Sequence, residues 1–233
     1  MIGAAINLFR GARVGFVLAR EGALAFADPS EMPPHLRLAL RLGPAVGLAW
    51  PPAPGWDGSA AARRRGLRAA LVPGAVLGVP VALLLAGIMR LPHGLVPRHT
   101  FVRPGPWAAA LASLGAGVTE ELWFRLGAMT LVAWVGARLL AGFDAPRAAT
   151  PPALLWGANV VAALLFGAAH LPQAAALVVV NGALVAYVVA ANGLAGLAFG
   201  WLYWRRGLLA AMACHAVVDL VLKVLLPALR GRA

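Results

Sequence analysis

The chain has 233 residues, of which 61% are hydrophobic and only 12% charged, and its formal net charge is +12. Ordinary soluble domains carry about 25% charged residues, so the composition excludes that class. A mean hydropathy of +0.81 and 27 glycines instead indicate an all-α, polytopic membrane helical bundle.

The positive charge is almost wholly arginine and flanks apolar runs instead of forming one basic face. That pattern argues against a nucleic-acid partner and for contact with anionic membrane lipid. The single cysteine, Cys214, excludes an intramolecular disulfide and a thiolate metal cluster.

Residues 1–62 read as an N-terminal amphipathic segment and linker. Leu8, Phe9, Val14, Phe16, Val17 and Leu18 are interleaved with Arg10, Arg13, Arg20 and Glu21, too polar for a span but suited to an interfacial helix. The arginines also break the first apolar run, so no cleavable signal peptide is expected. Pro44 to Ser59, rich in Pro and Gly, reads as a loop. Arg63, Arg64, Arg65 and Arg68 then precede an uncharged run from Ala69 to Met89, long enough to cross about 30 Å of hydrocarbon, with Pro73 and Pro80 expected to bend it.

Trp107 to about Leu140 follows, as one long tilted helix or two joined near Gly115-Ala116-Gly117. Ala153 to Ala169 is a further span, ending at His170 and stopped by Pro172. Leu171 to Trp204 carries no charge and is too long for one span, so a split near Asn192-Gly193 is expected. Leu208 to Leu226 is the last, and the total comes to about six transmembrane helices. Arginines flank spans on both sides, so orientation is not decided by the positive-inside rule.

Charge inside these apolar runs is costly: insertion scales put Asp or Arg at about +2.5 to +3.5 kcal/mol each at a helix centre. Yet Glu120, Glu121 and Arg125 lie within one span, His170 ends another, and His215 and Asp219 lie in the last. Glu121 and Arg125 are i,i+4 and can pair, which leaves Glu120 turned about 100° away. His215 and Asp219 are also i,i+4, so Asp219 is expected to accept from one ring nitrogen and fix the tautomer. Taken singly, each group has a structural explanation as an ion pair, an interfacial histidine or a packing hydrogen bond. Together they form the minimum set for activating water, a carboxylate base with imidazoles to position the water or stabilise an oxyanion. The same donors leave open a zinc site with nitrogen and oxygen ligands. A non-enzymatic scaffold or proton-coupled transporter using the same cluster is the alternative.

Glu120-Glu121-x-x-x-Arg125, Phe166-x-x-x-His170 and His215-x-x-x-Asp219, in that order, resemble the three-motif signature of the CAAX-protease and bacteriocin-processing family of intramembrane proteases. The resemblance covers roughly Ala69 to Leu226, within a domain expected over 63–230. It implies a multi-pass membrane endopeptidase acting on a peptide or protein substrate, lipid-anchored or bacteriocin-like. It also implies that Glu120 activates water, that Glu121 with Arg125 charge-balances the site, and that His170 holds the water. His215 would stabilise the oxyanion and Asp219 would orient His215. A divalent metal such as zinc and a metal-free glutamate mechanism both remain open, since the chain lacks an H-E-x-x-H helix. The arginine- and alanine-heavy composition points to a bacterial inner membrane.

Overall fold

The structure, a computed structural model, describes residues 16–18, 24–26, 34–48, 60–90, 104–141, 150–176 and 179–230. A short antiparallel hairpin pairs β1 (Phe16–Leu18) with β2 (Leu24–Phe26), with Val17 opposite Ala25. The interfacial helix expected through Leu18 therefore gives way to a strand at Phe16–Leu18, whose aromatic and β-branched residues suit extended backbone. The rest of that expected helix lies outside the described residues. The amphipathic helix is α1 (Pro34–Leu42), which buries Leu36 and Ala39. A 3₁₀ turn at Gly43–Val46 follows it, and Val46 and Leu48 join the same core.

Among the described residues, five stretches are long and apolar enough to cross a membrane: Arg64–Ile88, Pro106–Ala141, Pro152–Ala175, Gly182–Arg206 and Leu208–Arg230. The elements within them are α2 (Ala60–Ile88), α3 (Pro106–Glu121), a π-helical segment (Leu122–Met129), α4 (Thr130–Ala141), α5 (Pro152–Ala169) and α6 (Leu171–Ala175). There follow α7 (Gly182–Arg206), α8 (Leu208–Leu220), a second π-helical segment (Val221–Leu225) and α9 (Leu226–Arg230).

The expected split at Asn192-Gly193 does not occur, because α7 runs straight through it. Asn192 donates to the Val188 carbonyl at 2.9 Å, which satisfies its amide without breaking the helix. The break falls earlier, at Asn181, whose side chain accepts from the Leu184 backbone N–H at 2.9 Å and caps α7.

Helix α8 is the centre of the bundle. It packs against α2, α3 and α7 and buries Leu208, Leu209, Ala210, Ala211, Met212, Cys214, His215, Val218 and Asp219. Its neighbour α2 approaches through Gly74 and Gly78. A Cβ on Gly74 would collide with the Ala210 carbonyl, and one on Gly78 would lie 2.9 Å from the Cys214 carbonyl. Small residues four apart allow this backbone-to-backbone packing, the usual device where lipid supplies no hydrophobic drive between helices. The opposite wall of α2, with Val72, Val76, Val79 and Leu83, is exposed, as a lipid-facing surface should be.

Candidate active site

The centre is built where α3 ends. Glu120 and Glu121 close that helix and the backbone widens into π geometry over Leu122–Met129; such insertions recur at functional sites. Glu121 and Arg125 are both fully buried, with Glu121 Oε2 3.2 Å from Arg125 Nε. The two charges are in contact, but their atoms are not aligned as a hydrogen bond. Arg125 Nη2 instead donates to the Gly196 carbonyl of α7 at 2.9 Å. A side chain on Gly196 would close that approach, since its Cβ would lie 3.0 Å from Nη2. The guanidinium carbon lies 4.6 Å from the Phe166 ring centroid and 5.3 Å from that of Phe199, favourable cation–π positions in a desolvated site.

His215 is held on three sides. Its Nδ1 lies 2.8 Å from Glu121 Oε1, Phe199 stacks on its ring at 4.6 Å and 13°, and Phe166 meets it edge-on at 5.7 Å. His170, at the end of α5, has its Nδ1 2.8 Å from the Phe166 carbonyl. Both Nδ1 partners only accept, so in each neutral ring Nδ1 donates and Nε2 carries the lone pair. The two Nε2 atoms converge on one oxygen: Glu120 Oε2 is 3.9 Å from His170 Nε2 and 3.8 Å from His215 Nε2. Those separations exceed direct hydrogen bonds and suit a bridging molecule. Glu120 and His170 are partly exposed, whereas Glu121 is sealed.

Five of the six residues singled out in the sequence, Glu120, Glu121, Arg125, His170 and His215, thus meet at one place. Asp219 differs from expectation. It accepts from Lys223 Nζ at 2.5 Å, and the acceptor for His215 is Glu121. The physical reason is charge: Lys223 stands one turn from Asp219 on the second π segment, and an ammonium is a stronger partner for a carboxylate than a neutral ring. Phe199 and the Gly196 carbonyl were missed in the sequence, because α7 carries no charge to draw notice before Arg205.

The fold and the centre together define a polytopic helical membrane protein with a carboxylate–imidazole site between its helices. Residues 102–221, just over half of the chain and including all six singled-out positions, match the family described as type II CAAX prenyl endopeptidase Rce1-like. The chain belongs to that family, which makes it a multi-pass membrane protein of a peptide-hydrolase class. No curated protein and no solved structure matches the chain.

Proposed function

We propose that the protein is an intramembrane endopeptidase in which Glu120 is the general base, acting on prenylated, CAAX-type peptides in a bacterial inner membrane. The observation that carries this reading is the convergence of His170 Nε2 and His215 Nε2 on Glu120 Oε2 at 3.9 and 3.8 Å. A water there lies within reach of the carboxylate and the lone pair of His170. Glu120 takes one of its protons as the oxygen attacks the scissile carbonyl carbon, then returns that proton to the leaving amine. His215, its Nδ1 held by the Glu121 carboxylate, takes up a solvent proton at Nε2 once substrate is bound, donates from there to the developing oxyanion, and gives the proton back to solvent when the products leave. Arg125 lies against Glu121 and holds it aimed at His215, while Phe199 and Phe166 fix the ring.

The metal alternative fits this geometry poorly. Zinc bonds of about 2.0–2.1 Å in a tetrahedron would draw their donors to about 3.3 Å from one another. The observed separations of 3.8 and 3.9 Å are wider, and among the described residues no three His, Cys, Asp or Glu side chains are arranged to hold a metal ion.

The 233-residue chain in liposomes should cleave a farnesylated, CAAX-terminated peptide, with the products read by mass spectrometry. The rate should be unchanged by a chelator and should fall about 100-fold or more in His170→Ala or His215→Ala. A prenylated peptide left intact by wild type, alongside a proton flux that Glu120→Gln abolishes, would favour the transporter reading instead. Equal cleavage of the same peptide without its prenyl group would point to small-peptide processing.

A further inference from the structure

Among the described residues the carboxylates are Glu120, Glu121 and Asp219. Glu121 is answered by Arg125. Asp219 is 7% exposed and lies one turn beyond His215 on the central helix, so it is close enough to act on the ring electrostatically. Its counter-charge is Lys223, whose own side chain is about half exposed. Taking both imidazoles as neutral, these two pairs cancel and the centre keeps a single net negative charge, the one on Glu120. Remove Lys223 and a second uncompensated anion stands beside His215, where it disfavours negative charge developing on a substrate carbonyl and draws a proton to the ring before substrate arrives.

We propose that Lys223 is a positioning residue of the active site: by cancelling the charge of Asp219 it leaves Glu120 as the centre's only unbalanced anion. This role rests on the peptidase reading above. It differs from simple structural pairing, because it makes the effect of losing Lys223 depend wholly on the charge at position 219.

Two readouts on the full chain in liposomes test it. In cleavage of the farnesylated CAAX-terminated peptide, Lys223→Met should lower kcat at least tenfold with little change in KM, and Lys223→Arg should recover most of the rate. In an Asp219→Asn background the Lys223→Met step should be silent. The second readout needs no substrate: ¹⁵N-histidine spectra, with His215 assigned by its loss in His215→Gln. Lys223→Met should move the His215 ring nitrogens toward imidazolium, and adding Asp219→Asn should move them back. Wild-type kcat together with wild-type His215 resonances in Lys223→Met overturns the proposal. So does a loss that persists in the Asp219→Asn background. Wild-type protein that cleaves no peptide refutes the peptidase reading, while the spectra still decide the role of Lys223.

Discussion

The two π-helical segments place the same device in different surroundings. Each begins within two residues of a carboxylate in the last turn of an α-helix, and each offers a cation four residues after that carboxylate: Glu121 with Arg125 at Leu122–Met129, and Asp219 with Lys223 at Val221–Leu225. In the first pair both side chains are fully buried, whereas in the second the lysine is about half exposed. Burial decides what each pair does. The sealed pair must use its remaining valences inside the protein, so Arg125 reaches the Gly196 carbonyl and two aromatic rings while Glu121 reaches His215. It ties the end of α3 and its π segment to α5, α7 and α8. The half-exposed pair is partly solvated, and it contributes charge balance more than architecture.

Breaking each pair sharpens that contrast. Arg125→Met should have the largest effect on stability, about 3–5 kcal/mol, because it strands a buried carboxylate; denaturant titration in detergent measures it, and a loss below about 1 kcal/mol would contradict the architectural role. Phe199→Leu comes next. Losing the stack on His215 should cost about 0.5–1.5 kcal/mol of stability and a larger share of kcat than of KM, with Phe199→Tyr retaining activity. Lys223→Met should be the mildest for stability, within about 1 kcal/mol as for other solvated pairs, even as it lowers turnover.

Much of this site was legible in the sequence, and the reasons are local. Glu121–Arg125 is an i,i+4 relation that helix geometry fixes in advance, and apolar surroundings made Glu120, His170 and His215 conspicuous. The acceptor for His215 was not legible in the same way. Spacing offered Asp219, four residues on, but Glu121 lies 94 positions away and becomes a neighbour only when α3 packs on α8. Likewise, the sequence pointed to Asn192 for the helix break, whereas the break falls at Asn181. What separates them is where each amide finds its partner, the backbone N–H of Leu184 for one and the Val188 carbonyl for the other. Phe199 was hidden because stacking needs no charge and leaves no spacing signature. That the chain is a bundle of membrane-length helices followed from composition, whereas their packing around α8 depended on close contacts such as Gly74 on Ala210.

The central claim is that Glu120, flanked by two imidazoles, activates the water. It is tested most directly by kcat/KM for the farnesylated CAAX-terminated peptide in wild-type protein and in Glu120→Gln, which keeps the shape and removes the base. The account predicts a loss of about 10²–10⁴ with the fold intact. A Glu120→Gln protein that cleaves within a few-fold of wild type would contradict it.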